Sequence, residues 1–194
     1  MKLKKTTVII LFATFLPILA LTIITINSSN FIVGQKIDSF NNVSVYYNGW
    51  ISNIEGRKLT KDGYNLGLKY QCVEFVKRYY FEFYNHKMPD SYGHAKDFFN
   101  SKVIDGNLNK QRNLFQFHNS SISKPKVNDI LVFKGTLSNR YGHVAIVSKV
   151  VNGEIEIIQQ NAGPFSSPRD KFNLDFENGK WKIGNKRIVG WLRK

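Results

Sequence analysis

The chain has one cysteine, Cys72, and four histidines, His86, His94, His118 and His143. A thiol attacks a carbonyl as its thiolate, so cysteine chemistry needs a base near the sulfur and a third group to orient that base. Cys72 follows the loop residues Gly67–Gln71 and opens a helical pattern. At the first turn of a helix, unpaired backbone N–H groups and the helix dipole favour an anion, which is the setting a reactive cysteine needs. A lone cysteine cannot close an intramolecular disulfide. The inert alternative is a core residue, since free cysteine is among the most buried types.

Of the histidines, His86 and His118 sit among polar, loop-forming residues and read as surface positions. His94, in Tyr92-Gly-His-Ala95, begins a short helix and is the weaker rival for a base. His143 follows Tyr141-Gly142 and opens the β-branched run His143–Val151, so one rigid element fixes it. The turn Asn152-Gly153 folds the next run back beside it, and that run ends Ile157-Ile158-Gln159-Gln160-Asn161. Residues two apart on a strand share a face. Gln159 and Asn161 therefore point alike, and either amide oxygen can accept a hydrogen bond from the imidazole. Ordinary polar residues at a strand end are the alternative.

The elements that carry these residues follow from periodicity. Cys72–Tyr84 is a helix, with Val73, Val76, Tyr80 and Phe83 on an apolar face and Glu74, Lys77, Arg78 and Glu82 on another. Glu74–Arg78 and Arg78–Glu82 are i,i+4 pairs of opposite sign. A shorter helix is expected around Gly93–Ser101, and residues 27–66 read as loops with one short strand at Val43–Tyr47. From Pro125 the period becomes that of strands: Asp129–Lys134, His143–Val151, then Glu154–Gln160 after a type I′ turn at Asn152-Gly153. A second Asn-Gly, at 178–179, joins Phe172–Phe176 to a final strand ending at Trp191. Helices first and a sheet second predict an α+β fold, N-terminal helices packed on an antiparallel sheet of about five or six strands.

Ahead of this body, Met1–Lys5 is basic and Thr6–Ile26 runs 21 residues without a charge. That is long enough to cross a hydrocarbon core, which needs roughly 20 residues. The reading is a membrane anchor over 1–30, with a cleaved signal peptide as the alternative, and one folded domain over 31–194. The basic flank predicts a catalytic domain on the extracytoplasmic side, periplasmic or extracellular, and secreted if the leader is cleaved. Net charge is +14, of which the leader holds three, leaving +11 on the body. Such a charge draws a domain to polyanions, here anionic cell-envelope polymers. No zinc-finger, helix-turn-helix or RNP pattern is present, so no nucleic-acid partner is expected.

Four blocks then line up in order: Tyr70-Gln-Cys72-Val-Glu-Phe-Val-Lys-Arg-Tyr-Tyr80, Pro125-Lys-Val-Asn-Asp-Ile-Leu-Val-Phe133, Gly142-His-Val-Ala-Ile-Val147 and Gln159-Gln-Asn161. Together they resemble the CHAP family, cysteine, histidine-dependent amidohydrolases/peptidases related to NlpC/P60 and papain. The likeness runs from about Val43 onward. Asp62-Gly-Tyr-Asn-Leu-Gly67 and Gly190-Trp-Leu-Arg193 are most similar to the amidase domain of bifunctional glutathionylspermidine synthetase/amidases.

The resemblance implies Cys72 as nucleophile, His143 as general base, and Gln71 with the Cys72 backbone N–H as candidates for the oxyanion hole. At the third position family members commonly carry Glu-Gln-Asn. Here Gln159 replaces the acid, so it can orient an imidazole without stabilising an imidazolium by charge, and Asn161 is the other residue for that role. No cofactor is implied. Some wall-lytic relatives hold calcium upstream of the nucleophile, but that stretch offers only Asp62 with Asn65 and Lys69, so no metal is expected. Charge and leader favour amides of peptidoglycan peptides as substrate. The alternatives are a glutathionylspermidine-type amide and a non-catalytic wall-binding module.

Overall fold

In Ile130-Leu131-Val132-Phe133 no residue is polar, and all four side chains are buried. A strand of that kind needs protein on both its faces. The computed structural model describes residues 31–194, and there this strand, β7, lies inside an eight-stranded antiparallel sheet. Before it come β1 (Lys36–Phe40), β2 (Val43–Tyr46), β3 (Arg57–Leu59), β4 (Asn65–Leu68), β5 (Leu108–Asn109) and β6 (Leu114–His118). After it come β8 (His143–Val151), β9 (Glu154–Ile158), β10 (Arg169–Glu177), β11 (Lys180–Ile183) and β12 (Ile188–Arg193). The large sheet has the order β11-β10-β9-β8-β7-β12-β6-β5, while β1–β2 and β3–β4 form two small hairpins.

Strand alternation divides the core in two. Ile130, Val132, Val144, Ile146, Ile158 and Leu192 pack with the single α-helix of the described residues, α1 (Cys72–Tyr84). Their neighbours Leu131, Phe133, Ala145, Val147, Ile157 and Trp191 form a second cluster, closed by Ile155, Leu174 and Ile183. The helix buries Cys72, Phe75, Val76, Tyr79 and Tyr80, a stripe at i, i+3, i+4, i+7 and i+8. It starts at the extended residue Gln71, whose carbonyl accepts from Phe75 N–H at 3.2 Å. It stops at Asn85, which takes the left-handed conformation.

The expected α+β layout is thus corrected to a mostly β fold. Among the described residues only α1 precedes the sheet as an α-helix; the segment 93–101 forms one 3₁₀ turn, Ala95–Phe98, which ends as Phe99 becomes extended. The sheet has eight strands because three were not anticipated. Phe172–Phe176 lengthens into β10, the last run splits at Gly184 into β11 and β12, and Leu108–His118 contributes β5 and β6. Of the two Asn-Gly turns, 178–179 has both residues at positive φ, as type I′ requires, whereas at 152–153 only Gly153 does.

The membrane expectation is corrected too. Among the described residues no helix is long and apolar enough to cross a membrane. At 13 residues, α1 reaches about 20 Å, short of the roughly 30 Å of a hydrocarbon core. The anchor or signal segment expected over 1–30 lies outside the described residues, so nothing described supports a membrane-anchored, extracytoplasmic placement.

Candidate active site

Cys72 is the first residue of α1 and also the first residue of its buried stripe, at 8 % exposure. One position therefore serves both roles the sequence left open: packed in the core and seated at the helix N-terminus. Burial pushes its thiol up to about 11, against backbone N–H groups of Val144, Val73 and Cys72 itself, which favour the thiolate. The Val144 contact brings the sulfur to the residue after His143, at the start of β8.

His143 is equally buried, at 8 % exposure. Desolvation holds its imidazole down to about 4, opposed by a hydrogen bond to Gln159 and reinforced by Arg187. Its ring packs 5.6 Å from Phe133, the residue paired with it across β7 and β8. Gly142 immediately before it has φ +77°, and a Cβ there would meet the Phe133 carbonyl at 2.5 Å. Only glycine lets the chain enter β8 this close to β7.

Gln159 sets the tautomer. Its amide Nε2 donates to the Ser167 carbonyl at 3.2 Å, which turns Oε1 towards His143 Nε2 at 2.9 Å. Nε2 of the imidazole is therefore the protonated nitrogen, and Nδ1 keeps the lone pair that a base needs.

Asn161, the other candidate for this role, does not meet His143. At φ +57° it turns its Nδ2 to the Ile51 carbonyl at 3.0 Å and to Gln71 Oε1 at 2.6 Å. Its Oδ1 is buried with no partner among the described residues. Gln71 in turn spends both amide hydrogens on the carbonyls of Ile51 (3.1 Å) and Asn53 (2.7 Å). As it stands, no side-chain donor of Gln71 is left over, and the backbone N–H groups at the helix start stand beside it. These contacts draw the loop 48–53 to the site, where Trp50 (65 % exposed) meets Phe165 edge-on at 6.2 Å.

The remaining histidines are placed elsewhere. His94 caps the 3₁₀ turn and lies 4.6 Å from the Tyr141 ring. His86 and His118, read as surface residues, instead turn Nε2 to the carbonyls of Arg112 (2.9 Å) and Val103 (2.8 Å). Glu74 and Arg78, placed on the face away from the apolar one, are buried as an ion pair at 2.6 Å, and Gln160 is buried against them. The signal that would have found Gln160 is strand alternation: if Gln159 and Asn161 face one way, Gln160 faces the other.

The CHAP domain family model matches residues 61–161, just over half of the chain and all four residues Cys72, His143, Gln159 and Asn161. The chain belongs to the CHAP family. That is the family the four sequence blocks resembled, and it makes amidase or peptidase hydrolysis the chemistry of this fold. A trypanothione synthetase from Crithidia fasciculata is 25% identical over 144 residues, covering 73% of this chain. The CHAP chain spans about a fifth of that relative, 22% of its length. Among solved structures, one described as the crystal structure of Ly7917 aligns at 17% identity and a TM-score of 0.35, over 63% of this chain and 53% of that one.

Proposed function

We propose that this CHAP chain is a cysteine amidohydrolase in which Cys72 attacks an amide carbonyl and His143 moves the proton. The observation that carries the reading is the Gln159 Oε1–His143 Nε2 hydrogen bond, which leaves Nδ1 as a base on the strand whose Val144 N–H meets the Cys72 sulfur. The pair rests neutral, because burial opposes charge on both members. As sulfur bonds to the carbonyl carbon, the thiol proton passes to His143, and the developing oxyanion takes the Cys72 backbone N–H. His143 then protonates the leaving nitrogen, the C–N bond breaks and a thioester remains. Water, deprotonated by His143, attacks that thioester and releases the acid with the thiol restored.

For the substrate, the excess of 28 basic over 14 acidic residues favours an amide flanked by carboxylates, as in peptidoglycan peptides. A second reading, a glutathione–polyamine amide, rests on the similarity to a trypanothione synthetase.

The test uses the full chain, in which Cys72 is the only thiol. Iodoacetamide alkylation at pH 7.5 is expected to slow by roughly 100-fold in His143→Ala, the contribution of a positioned general base. Equal rates in both proteins would make this a binding module without catalysis. Digestion of solubilised peptidoglycan and of glutathionylspermidine, each against Cys72→Ala, separates the two substrate readings.

A further inference from the structure

We propose that Gln160 is a positioning residue, whose side-chain amide holds the start of α1 in register with the strand end that carries Gln159. The proposal rests on the Cys72–His143 reading above. Gln160 is 1% exposed and uses the whole of its amide. Oε1 accepts from Tyr46 N–H at 2.8 Å and from Arg78 Nη2 at 3.5 Å. Nε2 donates to the Gln71 carbonyl at 3.1 Å and to Glu74 Oε2 at 2.9 Å. That Gln71 carbonyl is also the acceptor of the first intrahelical bond of α1.

Three pieces of backbone therefore meet on one amide: β2 through Tyr46, the N-cap of α1 through Gln71, and the chain leaving β9. Gln71 immediately precedes the nucleophile and Gln160 immediately follows the residue that orients the base. A single hydrogen bond, Gln160 Nε2 to Gln71 O, thus joins the neighbours of both halves of the catalytic machinery. Beneath it the charges are closed: Glu74 is matched by Arg78 at 2.6 Å and by Lys58 at 3.5 Å, and Arg78 lies over the Tyr46 ring at 5.1 Å. An apolar side chain of equal length fills the same space but leaves the Tyr46 N–H and the Gln71 carbonyl without this partner. A role in packing alone tolerates that exchange, and a role in positioning does not.

The experiment measures iodoacetamide alkylation of Cys72 from pH 6 to 10 in the full-length Gln160→Met and Gln160→Glu proteins. Each is made with and without His143→Ala, and thermal unfolding is followed in parallel. In Gln160→Met the His143-dependent part of the rate is expected to fall between about tenfold and about 100-fold, the cost of a small misplacement of reacting groups. The rate in the His143→Ala background should stay unchanged. Gln160→Glu should recover part of this loss while its carboxyl is protonated, since its O–H can then donate to the Gln71 carbonyl and its other oxygen still accept from Tyr46 N–H. The recovery should vanish as pH rises and a second carboxylate forms beside Glu74, with Arg78 and Lys58 already engaged.

Wild-type rate and His143 dependence in a folded Gln160→Met protein would overturn the role. So would a loss that is equal in the His143→Ala background. Should Gln160→Met not fold, Gln160→Glu decides: a pH-dependent loss supports the role and a wild-type profile overturns it. Absence of His143 dependence in the unmodified protein would sink the catalytic pair itself, an outcome read separately from the Gln160 variants.

Discussion

Gln159→Glu is the substitution that asks most of this site. Gln159 Oε1 lies 2.9 Å from His143 Nε2, so a carboxylate there puts a full charge about 4 Å from the centre of an imidazolium. At an effective dielectric of about 20 that attraction is about 4 kcal/mol, enough to raise an imidazole pKa by about 3. Two features of the site reduce it. The position is buried, and the Ser167 carbonyl that now accepts Gln159 Nε2 at 3.2 Å would face a carboxylate oxygen instead. Taking half as the working figure, His143 rises from about 4 to roughly 5 or 6, and the imidazolium–thiolate form gains about 10- to 100-fold over the neutral pair.

The same reasoning fixes the sign of a stability effect. His143 is held below its ordinary 6.5, so the wild-type fold keeps that contribution above pH 6.5 and loses it as pH falls towards 4; Gln159→Glu narrows the window. The assay is the iodoacetamide rate at pH 7, expected to rise about 10- to 100-fold, with no gain once His143→Ala is added. A rate that stays level or falls, or a gain that survives loss of His143, would refute the account of how this pair is tuned.

Two further outcomes follow from the site. Gly142→Ala should cost about 1–3 kcal/mol in thermal unfolding, because φ is +77° and the new Cβ meets the Phe133 carbonyl at 2.5 Å. It should also reduce the His143-dependent alkylation rate, since His143 is the next residue. On the proposal that peptidoglycan peptides are the substrate, Trp50→Ala should raise KM for solubilised peptidoglycan while leaving Cys72 alkylation at the wild-type rate, because this exposed indole sits on the loop whose Ile51 and Asn53 carbonyls meet Gln71.

Much of this was legible in the chain, for reasons that can be located. Cys72–Tyr84 and His143–Val151 form over the predicted ranges because the first is long with a helical period and the second is a long β-branched run. The face of α1 was misjudged: Phe83 is exposed at 43 %, while Glu74, Lys77 and Arg78 are inside. Charge on a helix normally marks water, and here the charges find partners that are remote in sequence. Lys77 Nζ reaches the carbonyls of Asn65 and Ser91, and Glu74 meets Gln160. Lys77 has no carboxylate partner at that site, and its desolvation lowers its ammonium to about 7. His118 looked like a loop residue because Asn119-Ser120-Ser121 follows it and Leu114–His118 is short and irregular in pattern, with Gln116 inside and Phe115 exposed. Gln159 and Asn161 could not be told apart from spacing; β9 ends at Ile158 and the Asn161 backbone turns to φ +57°, so their side chains part.

The position of β12 carries a consequence for how the chain is made. Ile188–Arg193 is the last strand in sequence, yet it lies between β7 and β6, pairing Trp191 with Leu131 on one side and Phe117 on the other. Until the ribosome has released those residues, β5 and β6 have no sheet to join, although they were synthesised some 75 residues earlier. The β7–β8–β9 meander can assemble from neighbours, whereas closure of the sheet waits for long-range pairing. A nascent chain therefore carries Cys72 and His143 before it can seal the core around them. Deleting Ile188–Arg193 would divide the sheet in two rather than trim its edge.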